Sequence, residues 1–186
     1  MQFNRKIIAI VGGSGSGKTT VAKMFAKHDT LGKSFVLSMD NYYKNLSNET
    51  DPNYDHPDAF NFELLCSDIL EFKNSGVINI RKYSFKTKEV KFIKQANIYS
   101  TLIIEGLFVL HPRILTRFSF DDSFFLDVSP KIRSERRIKR DLFERNIPIV
   151  ENQKYIDMVS EPMFQKFIAP QKKFAKNTLY NKTWLK

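Results

Sequence analysis

The chain has 186 residues, 42% of them hydrophobic, with 17 Phe and only 7 each of Gly and Pro. That combination suits one globular domain with a sizeable core and excludes collagen-like, low-complexity and disordered classes. The formal net charge of +10 fits a nucleic-acid partner or an enzyme that neutralises phosphates on small substrates, and composition alone does not separate the two.

The first six residues, Met1–Lys6, are polar and basic. The apolar run behind them, Ile7–Val11, is too short for a signal-peptide core or a membrane span. A single cysteine, Cys66, allows no intrachain disulfide, so the expectation is a soluble cytoplasmic protein with reduced thiols and no membrane partner. Cys66 is read as a half-buried packing residue.

Lys6–Val11 (KIIAIV) is a short β-branched run, expected to be a buried parallel strand. It leads into Gly12–Thr19 and then a helical pattern over Thr20–His28. Ser34–Ser38 reads as a second strand, and Met39–Asp58 as a long functional loop rich in Asn, Asp, Tyr and Pro. Ala59–Lys73 has helical spacing and ends before Gly76. Val77–Tyr83 and Glu89–Ile93 alternate like a hairpin around Phe85–Lys88. Thr101–Ile104 is a fully apolar strand ending at Glu105-Gly106, and Leu107–Arg117 reads as helical with a break near Pro112. Ser123–Val128 is the next strand. Ser129-Pro130 then opens a helix to Arg145. Glu151–Ile168 is a further helix with a kink or break at Pro162, followed by a short tail from Phe174. Strands alternating with helices predict an α/β fold of the P-loop type, with a mostly parallel sheet flanked by helices.

Gly12, Gly13, Ser14, Gly15, Ser16, Gly17, Lys18 and Thr19 fit G-x-x-x-x-G-K-[ST], with Thr20 following. Glycines let backbone N–H groups turn inward as an anion nest, and the following helix aims its N-terminus at the phosphates. Lys18 neutralises the β- and γ-phosphates, and the Thr19 hydroxyl can ligate Mg²⁺. The motif sits between an apolar strand and a helix, which is its confirming context. Two acids stand at strand ends on the same edge, Asp40 and Glu105. Asp40 is the better candidate for a general base toward a substrate hydroxyl, and Glu105 for the acidic metal ligand, as against a turn residue and a helix cap. On the Ser129–Arg145 helix, Arg133, Arg137 and Arg140 share one face at i, i+4 and i+7. One to three of them are expected to close over the phosphates, with Arg137 the candidate for catalysis. Glu135, Asp141 and Glu144 are interspersed and read as ordinary surface pairing. No zinc-ligand spacing, aromatic nucleic-acid motif or isolated basic tail accompanies this helix, so no nucleic-acid partner is expected.

Further motifs fall in a familiar order over about residues 6 to 175: SMDNYYK at 38–44, DHPDAFN at 55–61, Tyr83-x-Phe85, IIEGLFVL at 103–110, RRIKRDLFER at 136–145 and EPMFQKFIAPQKKFA at 161–175. With GGSGSGKTT at 12–20, the chain resembles uridine kinases (uridine–cytidine kinases) of the phosphoribulokinase/uridine kinase group. The resemblance implies transfer of the γ-phosphate of ATP or GTP to the 5′-hydroxyl of uridine, or of cytidine, with Mg²⁺. It implies Asp40 as the base, Thr19, Asp40 and Glu105 around the metal, and Asp55 on the ribose hydroxyls. Tyr54 falls beside the substrate, Tyr83 and Phe85 hold the pyrimidine, Arg137 and Arg140 lie near ribose and phosphates, and Arg145 begins a lid. Tyr42, Tyr43, Tyr54, Phe60 and Phe85 are expected to form the apolar slot for the ring. Residues 77–93 would be a small β substrate element. A homotetramer is the assembly the resemblance implies.

Three departures stand out. Lys88 replaces the histidine that usually reads the base edge; lysine donates only, which suits O4 of uracil and predicts a preference for uridine. Asn146-Ile147-Pro148 interrupts the lid, and Lys154, beside Gln153, stands where a ribose-contacting glutamine is usual. The chain stops at Lys186, before the last loop and helix that help hold adenine. The alternatives are a related small-molecule kinase with another acceptor, such as another nucleoside or pantothenate, and a catalytically impaired nucleotide-binding regulator.

Overall fold

A computed structural model describes residues 5–96 and 99–180. Residues 1–4 of the basic N-terminus and the last residues of the tail lie outside the described residues.

Five parallel strands form one sheet in the order β2-β5-β1-β6-β7: β1 Lys6–Gly12, β2 Ser34–Ser38, β5 Thr101–Gly106, β6 Asp122–Asp127 and β7 Asn177–Tyr180. β1 is central, and its alternation shows why it is apolar throughout. Ile7, Ala9 and Val11 face one core and Ile8 and Ile10 the other. A strand covered on both faces needs no polar positions. α1 (Lys18–Ala26) covers the smaller core through Val21 and Ala22. The larger core takes α2 (Phe62–Ser75), α3 (Pro112–Leu115) and most of the buried aromatics. The remaining strands, β3 (Ile78–Ser84) and β4 (Glu89–Ala96), form a separate antiparallel hairpin with a bulge between Ile80 and Arg81.

The expected α/β architecture is present, with four differences in detail. α2 begins at Phe62 because the Asn61 side chain accepts the Leu64 N–H as its cap; Pro57–Ala59 is a separate 3₁₀ turn capped by His56. Leu107–His111 is not helical. Leu107–Leu110 are buried on all sides, and Gln171 bridges the loop, donating to Leu107 O at 2.8 Å and accepting from Leu110 N at 3.1 Å. A run apolar all round carries no helical periodicity to read. The segment with Pro162 is not broken. It runs as α5 (Ile149–Tyr155), a π-helical stretch Ile156–Ser160, α6 (Glu161–Met163) and a second π-helical stretch Phe164–Ile168. Widened turns take up the missing N–H and the ring clash of a mid-helix proline. Finally, β7 pairs with β6 where a short tail was expected.

α4 (Pro130–Arg145) follows β6 and ends at Asn146, whose left-handed φ of 55° closes the helix on the Asp141 carbonyl. No helix among the described residues is long and apolar enough to cross a membrane.

Candidate active site

The parallel strands bring Gly12, Ser38 and Glu105 to one edge of the sheet, and the chemistry gathers there. The loop from Gly12 to Gly17 turns with Gly15 and Gly17 at φ 76° and 91°, conformations that favour glycine. α1 starts at Lys18, so its free N–H groups face the loop. Lys18 Nζ donates to Gly13 O at 2.9 Å. Burial pushes its pKa down, while Glu105 and Asp40 oppose the shift. The Thr19 hydroxyl donates to Glu105 Oε1 at 3.1 Å. Glu105, only 4% exposed, is raised by burial, lowered by Lys18 and raised again by Asp40. Asp40 lies in a 3₁₀ turn, Met39–Tyr42, directly after β2.

That turn is fixed from behind. Tyr42 Oη donates to Asp68 at 2.8 Å, and Asp68 also accepts from Asn79 and from Nε and Nη2 of Arg81 on β3. Asn41 accepts the Tyr83 N–H at 3.1 Å. The 39–42 turn, α2 and the hairpin are therefore one polar network.

A cavity of about 80 Å³ joins Ser14, Lys18, Thr19, Asp40 and Glu105 to Tyr54, Asp55 and Phe85 and to Arg137, Arg140 and Arg145. Tyr43 and Leu107 complete its wall. Asp55 accepts from Arg137 Nη1 at 3.2 Å, and the same nitrogen donates to Ser160 at 2.6 Å. Burial opposes charge on Arg137, but Asp55 and Asp141 outweigh it and raise its pKa. A second cavity of about 610 Å³ lies beyond a wall of Tyr54, Phe85, Arg137 and Arg145, reaching Asn152 and Tyr155. In that wall the Arg145 guanidinium lies 3.8 Å over the Phe85 ring.

Several expected residues fall elsewhere. Lys88 is not on the cavity. It holds φ 56° at the hairpin turn, and its amine donates to the Glu49 carbonyl, so the tight turn aims it at the loop rather than at a base. Tyr83 packs behind Tyr43 and Tyr54, with its hydroxyl buried and unpartnered among the described residues. Tyr42 and Phe60 are fully buried core, not slot residues. Lys154 and Gln153 are exposed on α5, where Asn152 and Tyr155 take the inward positions, while Thr20, like Thr19, is exposed in the first turn of α1 beside the phosphate loop. Arg133 leaves the lid face: it donates to Val128 O and Glu161 and stacks 3.7 Å from the Phe164 ring. A Cβ on Gly15 would stand 2.2 Å from the Arg133 carbonyl, so this residue braces the phosphate loop. Asp141, read as a surface partner, is buried.

Two carboxylates and a hydroxyl make an oxygen donor set. It suits a hard cation that shares its shell with water and phosphate oxygens better than one held in an all-protein cage. Thr19, Asp40 and Glu105 thus fit Mg²⁺.

A phosphate loop opposed by an acidic strand end and roofed by arginines defines the class of P-loop kinases. A family model for the phosphoribulokinase/uridine kinase family matches residues 7–180. The chain is 37% identical over 180 residues to a uridine kinase of Clostridium novyi (strain NT), covering 91% of this chain and 84% of that one. It is 36% identical over 177 residues to uridine-cytidine kinase A of Dictyostelium discoideum, covering 92% of this chain but 35% of that protein. The chain spans about a third of the length of such longer relatives. The solved phosphoribulokinase of Rhodobacter spheroides superposes with a TM-score of 0.66 at 15% identity, over 95% of this chain and 70% of that one. The chain belongs to the phosphoribulokinase/uridine kinase family.

Proposed function

We propose that this chain acts as a uridine kinase, moving the γ-phosphate of ATP or GTP to the 5′-hydroxyl of a pyrimidine ribonucleoside. The observation that carries the reading is the convergence of Lys18, Asp40, Asp55 and Glu105 with three arginines on one small cavity. Asp40 accepts the proton of the attacking hydroxyl. Asp55, steadied by Arg137, holds the ribose diol. Lys18 and the inward arginines meet charge on the transferring group, and their preorganisation is what an in-line transfer needs. Thr19, Asp40 and Glu105 would hold Mg²⁺, which when bound would neutralise phosphate charge. The relatives named as uridine and uridine-cytidine kinases support the choice of acceptor.

The base preference expected through Lys88 loses its basis, because that amine is committed to Glu49. Tyr83, packed behind Tyr43 and Tyr54, lines neither cavity and does not restore it. Uridine and cytidine are then both substrates.

The test is ADP release from Mg-ATP with uridine, cytidine, adenosine, deoxyuridine and pantothenate. Turnover with the two pyrimidine ribonucleosides should fall by about 10²- to 10⁴-fold in Asp40→Asn, the range for loss of a positioned general base. Turnover with pantothenate alone, or an Asp40→Asn variant as active as the parent, sinks the proposal.

A further inference from the structure

Resting on the kinase reading above, we propose that Asp141 is the positioning residue for the arginines that face the transferred phosphate. Asp141 is 1% exposed on the inward side of α4. Three guanidiniums converge on its carboxylate. Arg140 donates through Nε at 2.8 Å and lies 2.7 Å away through Nη2, while the Nε atoms of Arg137 and Arg145 stand at 3.5 Å. Asn152 of α5 donates to the second oxygen at 3.3 Å. The Asp141 carbonyl accepts the N–H groups of Asn146 and Ile147, closing the turn directly after Arg145. One residue therefore sets both the directions of three cationic heads and the end of the helix that bears them.

All three arginines line the reaction cavity, whereas Asp141 lines only the adjoining one. It touches no reacting atom in this arrangement and acts through the arginines. Like charges so close repel one another, and without a shared anion they swing apart toward water. Arg145 shows the strain: burial and then the Arg140 charge lower its pKa, and Asp141 counters them. Fixing the guanidiniums before nucleotide binds removes a reorganisation that the reaction would otherwise carry.

The experiment compares the parent with Asp141→Asn and Asp141→Glu, in two readouts. The first is the Nε–H NMR spectrum of the unliganded protein, with Arg140 and Arg145 assigned through Arg→Lys variants. The parent should show protected Nε–H signals for both, lost in Asp141→Asn and partly restored in Asp141→Glu. The second is kinetics. Asp141→Asn should lower kcat by about tenfold to a hundredfold with the Mg-ATP dissociation constant within about threefold, and Asp141→Glu should recover part of the loss. Intact signals in Asp141→Asn, or a kcat within about twofold, overturn the proposal. So does a joint loss of kcat, nucleotide binding and cooperative melting, which marks a purely structural role. A parent with no turnover would defeat the kinase reading alone, and the spectra would still decide the role of Asp141.

Discussion

Glu105 sets stability against chemistry. Burial raises its pKa, and Lys18 only partly offsets this. The folded chain therefore holds this proton more tightly than the unfolded chain does. The contribution to stability is complete below the unfolded value of 4.5 and is lost as pH rises through the raised folded value. Glu105→Gln keeps the shape and removes the charge. It should abolish turnover and flatten the pH dependence of the melting temperature above pH 4.5, with a melting temperature at pH 7 no lower than the parent's; a steeper dependence would contradict the assigned direction. Lys88 gives a second test at this scale. Lys88→Ala should leave the ratio of uridine to cytidine efficiency within about twofold, because its amine serves the loop. A change in that ratio well beyond twofold would return Lys88 to the base edge.

The elements carry the next level of constraint. α4 touches the phosphate loop through Arg133, so its first half is a fixed brace, and its end is closed by the left-handed Asn146 on the Asp141 carbonyl. Gly15→Ala would place a Cβ 2.2 Å from the Arg133 backbone carbonyl at a φ of +76°. A backbone neighbour cannot yield as a side-chain tip can. The variant should lose more than about 1 kcal/mol of stability and at least about tenfold in nucleotide affinity, read by melting and titration. Much of this was legible beforehand. The P-loop, β1, β5, α4 and the strand-end acids follow from buried runs and glycine chemistry, and the resemblance placed Asp55, Tyr54, Phe85 and the arginines on what proves to be one cavity. The missing parts share a physical cause, since composition does not say which way a side chain faces. Tyr42 and Phe60 were assigned to the slot because they are aromatic, Lys88 to the base because of its place in a motif, and Asp141 to the surface because it stands among arginines. β7 was lost because four edge residues carry almost no pattern.

At the scale of the whole molecule, the site belongs to no single element. Lys18 comes from α1, Asp40 from the end of β2, Glu105 from β5, the aromatic wall from the 43–54 loop and the hairpin, and the arginines from α4. A ligand that spans them ties the sheet, the hairpin and α4 together, and none of these contacts survives unfolding. Binding must then appear as global stabilisation, of about 2.7 kcal/mol at a hundredfold excess over the dissociation constant. For a chain of this size that is a rise in melting temperature of roughly 5–10 °C. Mg-ATP should give such a shift in the parent and none in Lys18→Ala. Uridine should add a further shift that Asp55→Asn removes while the Mg-ATP shift remains. Melting at a series of ligand concentrations separates the two. An Mg-ATP shift that survives Lys18→Ala would place the nucleotide away from the phosphate loop. A uridine shift that survives Asp55→Asn would place the nucleoside away from the cavity built around Asp40 and Arg137.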